Sequence, residues 1–250
     1  MPRPIAALPK AHLHLHFTGS MRHATLAELA ALHRVHLPEA LAQEWPPQLS
    51  AADERGWFRF QRLYDIARSV VRTPDDVRRL LQEAAEDEQA EGSGWLELQV
   101  DPSGYAGRFG GLTPMLELVL ESAAAAADKT GVGIGIIVAA NRTKHPLDAR
   151  TLARLAAGYA GQGVIGFGLS NDERRGVTAD FAPAFRIAGR AGLRLVRTAA
   201  SLSARPAFAP AWTSCTPIAS GTASRRPRIR RCCGAWRTAG SRWRSARRRT

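Results

Sequence analysis

Cysteine, histidine and acidic side chains are each missing from long stretches of this chain. The three cysteines, Cys215, Cys232 and Cys233, all fall near its C-terminal end, and the adjacent pair lacks the CxxC spacing of a zinc site. All seven histidines lie at or before His145, and no Asp or Glu occurs from residue 197 onward. No apolar run approaches the ~18–20 residues needed to cross a bilayer. Met1–Pro9 is short and broken by prolines at positions 2, 4 and 9, unlike a secretory leader. The expected setting is therefore the cytoplasm, with no membrane partner. A Gly-rich phosphate loop is absent after every predicted strand, which argues against a nucleotide-binding Rossmann sheet.

What is present is divided unevenly. The net charge of +13 comes from 35 basic and 22 acidic residues, and 13 of the 35 are arginines between Arg197 and Thr250. The other 22 balance all 22 acids, so residues 1–196 carry no net charge. Two domains are expected: 1–196, with ordinary globular patterning, and 197–250, an Arg-rich tail expected to be disordered. Arginine and tryptophan interleave in the tail (Arg231, Trp236, Arg237, Arg242, Trp243, Arg244), which would suit phosphate contact with base stacking. A non-enzymatic protein binding nucleic acid through this arm is thus the alternative reading. Arginine also arises readily from GC-rich codons, and a nucleic-acid partner is not the expected one.

Along 1–196 the hydrophobic rhythm is that of an α/β protein. Residues 11–17 alternate as a strand, and helices are expected at 24–36 and 57–71. Thr73-Pro74-Asp75-Asp76 reads as an N-cap, a first-turn proline and acids opening a helix to about Glu91. Strands at 95–100, 132–139, 164–169 and 193–196 then alternate with helices at 114–129, 146–160 and 178–191, the first of these capped by Thr113. Such alternation predicts parallel βαβ units. Five strands fit either a doubly wound sheet or part of a barrel.

The densest chemical signal is His14-Leu15-His16. Residues two apart on a strand point to one face, so His14 and His16 are expected together, with His12 one step deeper on that face. Near the C-terminal end of a barrel strand, that face opens into the active-site mouth. Neutral imidazoles held close suit Zn²⁺, with Zn–N bonds of ~2.0–2.1 Å. Partly buried structural histidines are the other explanation, because two ligands do not complete a catalytic zinc site.

The flanks extend the signal. Leu8-Pro9-Lys10-Ala11-His12-Leu13-His14-Leu15-His16-Phe17-Thr18-Gly19-Ser20 resembles the first-strand signature of the adenosine deaminase family. So do the helical excursion over about residues 20–92, Gly92-Ser-Gly-Trp-Leu-Glu-Leu, and Gly166-Phe-Gly-Leu-Ser-Asn-Asp172-Glu173. The resemblance covers roughly residues 5–196. It implies a (β/α)8 TIM-type barrel, incomplete here at about five strands, and a zinc-dependent hydrolytic deaminase of adenosine or a related aminopurine. In that resemblance His14 and His16 are metal ligands, and His16, Thr18 and Asn171 meet the substrate. Thr18 stands where the family usually has an acid facing the ribose, and His12 where Glu is common. Asn171 replaces the glycine of Gly-Asp-Glu, in a segment that would equally serve as a helix-capping loop.

The family's third ligand and catalytic acid come from His-Ala-Gly-Glu at the fifth strand. Here that strand runs into Arg197-Thr-Ala-Ala-Ser201, so no catalytic residue is identifiable in this chain. A one-base slip in the coding frame accounts for this. Thr198-Ala-Ala-Ser201 then permits His-Gly-Gly-Glu, and Ile218–Ser224 permits Asp-Arg-Ile-Gly-His-Gly-Val. Trp243–Thr250 permits Leu-Glu-Val-Cys-Pro-Ala-Ser-Asn. All three resemble family motifs, in their family order. The tail is therefore read as out-of-frame translation of a GC-rich gene, and the chain as written is expected to be inactive.

Overall fold

Alternating strands and helices bury both faces of a sheet only when the strands run parallel with helical crossovers. The computed structural model of the chain, which describes residues 8–42, 54–172 and 174–197, has this arrangement. Strands β1 (Lys10–His16), β2 (Ser93–Val100), β3 (Gly133–Asn141), β4 (Val164–Ser170) and β5 (Arg194–Arg197) form one sheet in sequence order. Every neighbouring pair is parallel. The expected tail lies outside the described residues, apart from Arg197 at its start. Of the two sheets that the alternation allowed, the sheet found is a curled half-barrel. Arg194 Nη1 on β5 reaches Glu97 Oε1 on β2, at 3.1 Å, across the concave side.

The helices are α1 (His23–Leu32), α2 (Glu39–Ala42), α3 (Glu54–Ser69), α4 (Pro74–Ala90), α5 (Leu112–Thr130), α6 (Pro146–Gly158) and α7 (Ala182–Arg190). Helix α1 stops short of the expected residue 36 because Arg34 turns left-handed, at φ 54°. Val35 N–H then donates back to Ala30 O and Arg34 N–H to Ala31 O, closing a Schellman end. Helix α5 begins before Thr113, which is not its cap; Gly111 takes that place at φ 133°. Pro114 falls in the first turn, where its missing N–H costs no helical bond. The last predicted helix divides into a 3₁₀ turn, Thr178–Phe181, followed by α7.

The core lies between sheet and helices. Leu96, Leu98, Ile136, Val138, Phe167 and Leu169 are buried, and Phe167 meets Phe185 of α7 edge to face. On the concave side glycines make room for larger neighbours. A Cβ on Gly133 would sit 2.6 Å from the Trp95 ring, and one on Gly135 2.4 Å from Ile165 Cδ1.

Helix α4 starts as its sequence dictates. Thr73 accepts from Asp76 N–H while the Asp76 carboxylate accepts from Thr73 N–H, a reciprocal capping box. Asp76 Oδ2 also accepts from Arg72 N–H and lies 2.9 Å from His33 Nε2. Burial alone would raise the Asp76 pKa, but these hydrogen bonds win and hold it below the usual carboxylate value. A depressed folded pKa stabilises the fold above the unfolded value, ~3.9, and that contribution is lost as pH falls through the lower folded value. Asp76→Asn should therefore lower the melting temperature clearly at pH 7 and much less near pH 3. Thr73→Ala should cost ~1 kcal/mol, read by urea unfolding, at both pH values. An Asp76→Asn penalty that does not shrink in acid would refute this account.

Candidate functional site

A strand's period of two would place His12, His14 and His16 on one face, but β1 does not keep that period. His12 pairs with Leu96 and Leu15 with Leu98, so three steps on β1 match two on β2. This bulge corrects the expectation for His12. Its Nδ1 meets Glu88 Oε1 of α4 at 2.6 Å, on the helix-covered side. His14 and His16, beyond the bulge, stay together on the concave side with their Nε2 atoms 3.1 Å apart.

That separation tests the fit of a metal. Two nitrogens at ~2.0–2.1 Å from one tetrahedral zinc stand roughly 3.3–3.4 Å apart, so the pair needs only a few tenths of an ångström of adjustment. Burial, and then the charge of His14, lower the His16 pKa to about 4. His16 is thus neutral near pH 7, with a lone pair to give. Among the described residues no group of three or more His, Cys, Asp or Glu side chains is placed to hold a metal.

The pair opens into a cavity of about 550 Å³ that also reaches Thr18 and Asn171, so all four expected residues line one space. Thr18 is only 5% exposed, and its hydroxyl makes a short hydrogen bond to the Tyr105 hydroxyl. Burial raises the pKa of Tyr64 and Tyr105, so both phenols keep their protons. The Arg68 guanidinium lies 5.2 Å from the Tyr64 ring centroid and 5.9 Å from that of Tyr105. Gly104 gives it passage, since a Cβ there would come within 3.2 Å of Arg68.

Asn171 has φ 82°, a conformation natural to glycine and tolerated by asparagine. Its Oδ1 accepts from Asp172 N–H at 2.7 Å. Asp172 is buried to 1% exposure and pairs with Arg174 at 2.9 Å and Arg175 at 3.7 Å. Desolvation pushes its pKa up, yet the Arg174 hydrogen bonds and the nearby charges bring it below normal. Asp172 therefore fastens the loop after β4. Glu173 lies outside the described residues.

Several cavity residues carried no signal of their own in the sequence. Trp57, Phe60 and Tyr64 of α3 line it on one side; their helical spacing reads as ordinary core. Gln99 and Asn141, at the C-terminal ends of β2 and β3, could have been picked out from the rule that barrel sites gather there. Asn141 Oδ1 is engaged by Thr143 N–H at 2.9 Å.

The described residues thus form a parallel half-barrel with two convergent imidazoles at the C-terminal end of β1. The sequence profile of the adenosine deaminase family matches residues 9–211, and the chain belongs to that family. Putative adenosine/adenine deaminases from Streptomyces virginiae and Streptomyces coelicolor are each 62% identical to it, over 191 and 195 residues. Each match covers 76% of this chain, which spans 56–57% of the relatives' length. Adenine deaminase from Arthrobacter aurescens superposes with a TM-score of 0.65 at 26% identity, covering 77% of this chain and 58% of that one. An amidohydrolase from Burkholderia ambifaria, solved with bound zinc, shares the fold with a TM-score of 0.60 at 24% identity, covering 80% of this chain and 56% of that one. Among the described residues no helix is long and apolar enough to cross a membrane.

The backbone at Asn171 yields a direct test. Asn171→Gly should leave the melting temperature nearly unchanged, whereas Asn171→Val should cost about 1–2 kcal/mol, because a β-branched side chain resists the left-handed conformation that asparagine and glycine tolerate. Equal stability of the two variants would contradict the assigned conformation.

Proposed function

We propose that this chain is the N-terminal part of a zinc-dependent hydrolase that deaminates a small-molecule aminopurine: adenosine, adenine or a relative. The observation that carries the reading is the 3.1 Å Nε2–Nε2 approach of His14 and His16 at the cavity mouth. The identity with putative adenosine/adenine deaminases supports it. His14 and His16 would supply two ligands through Nε2. A bound zinc would lower the pKa of a water molecule toward neutrality. The Trp57 and Phe60 side chains would offer apolar surface to the purine ring and help exclude water. Thr18, held by Tyr105, would meet the substrate as a neutral, fixed hydroxyl, a weaker partner for a ribose than a carboxylate. Its setting in this reading is the cytoplasm.

The third ligand and the acid that would protonate the ring have no candidates from residue 197 onward, where His, Asp and Glu are all lacking. We read residues 197–250 as translated one base out of frame, and the chain as written as inactive. The two Streptomyces matches, 191 and 195 residues long, are close to the length of residues 1–196, while the family profile runs on to residue 211.

The decisive experiment begins with the coding DNA. Restoring the frame near codon 197 should give a protein that binds about one zinc and turns over an aminopurine, while the present chain with added zinc shows no absorbance change with adenosine or adenine. In the restored protein His14→Ala and His16→Ala should each abolish activity. Thr18→Ala should lose no more than about tenfold, the worth of a neutral hydrogen bond of ~0.5–1.5 kcal/mol. A restored protein without zinc, or one active without His14, would overturn the proposal.

A further inference from the structure

A largely apolar cavity orients its ligand through the few polar groups on its wall. Among the described residues that line this one, Asp101 is the one carboxylate. It follows the last residue of β2, and its extended backbone, φ −100° and ψ 97°, carries the strand's alternation one residue further. Asp101 therefore shares a face with Gln99, which stands opposite His16 in the β1–β2 register. Two residues of strand advance ~6.6 Å, so Asp101 sits about one such step beyond the level of His16, toward the strand ends.

The carboxylate is held through one oxygen only. Ser103 N–H and the Ser103 hydroxyl both donate to Asp101 Oδ1, at 3.0 and 2.5 Å. Ser103 Oγ in turn accepts from Lys144 Nζ at 2.8 Å. Among the described residues Oδ2 has no hydrogen-bond or ion-pair partner. The turn over Pro102–Gly104 does not by itself call for an acid, since asparagine or serine would cap it through a single oxygen. Nearby acceptors are already engaged. Asn141 Oδ1 takes both the N–H and the hydroxyl of Thr143, Asn171 Oδ1 takes Asp172 N–H, and the Thr18 hydroxyl is joined to Tyr105.

We propose that Asp101 is a specificity-determining residue whose Oδ2 accepts from a polar hydrogen at the end of the aminopurine remote from its amino group. That hydrogen is a ring N–H in a free base or a sugar hydroxyl in a nucleoside. The assignment rests on the aminopurine reading, in which the amino-bearing carbon lies beside His14 and His16. A ligand without such a hydrogen covers the carboxylate and leaves it unpaired, which is a stronger discrimination than the loss of a neutral contact.

Ligand-observed saturation-transfer titrations of the full chain test this with adenine, adenosine and 9-methyladenine, the last of which carries neither donor. Adenine or adenosine should bind at least about tenfold more tightly than 9-methyladenine, and whichever does so identifies the donor. Asp101→Asn keeps the oxygen that caps the turn and puts NH₂ in place of Oδ2. It should erase that preference and leave the affinity for 9-methyladenine unchanged. If 9-methyladenine binds as well as the other two, or if Asp101→Asn weakens all three alike, the proposal is overturned and the aminopurine reading still stands. A wild-type chain that binds none of the three overturns both. Should Asp101→Asn fail to fold, Ser103→Ala, which removes one of the two bonds to Oδ1, should narrow the same preference. An unchanged preference in that variant overturns the proposal.

Discussion

Everything in the candidate site depends on one extra residue in β1. Without the bulge between His12 and Leu15, the strand would keep its period of two and three histidines would crowd one face. With it, His12 turns to Glu88 and ties the strand to α4, while His14 and His16 remain on the concave side. The bulge thus divides one tripled motif into an anchoring residue and a converging pair.

Much of the fold was legible because it follows from local chemistry. Thr73 and Asp76 spell out a capping box, and alternating apolar runs and helical periods locate β2 to β5 to within two residues. What escaped was decided by backbone geometry or by distant contacts. The left-handed turn at Arg34 ends α1 within a stretch that still looks periodic, because Val35 folds back onto the helix. Gly111, not Thr113, starts α5, since a cap is chosen by where the chain turns and not by which hydroxyl is nearby.

For the site, the HxH pair and its strand position could be read directly, since two residues on one strand need no tertiary information. Thr18 and Asn171 were reachable only through family resemblance. Around Thr18, the Tyr64–Tyr105–Arg68 cluster joins segments roughly 40 to 90 residues apart in the chain, and no local pattern encodes such a meeting, whereas Asp172 fastens its loop through its near neighbours Arg174 and Arg175. Gln99 was legible as a strand-end residue, but only the sheet register sets it across from His16.

The contact between Glu97 and Arg194 bears on how such a barrel comes to close. Their strands are three places apart, so in a flat sheet the backbones would stand roughly 14 Å from one another, at ~4.8 Å per strand. The curl of the sheet shortens that gap, and the two side chains meet at 3.1 Å. Bending here therefore belongs to the five-stranded segment itself, through its twist and its concave glycines, and does not wait for a last strand to meet the first. A segment so shaped presents β1 and β5 as pre-aligned rims, and further strands would have only to be added along a path whose radius is already drawn.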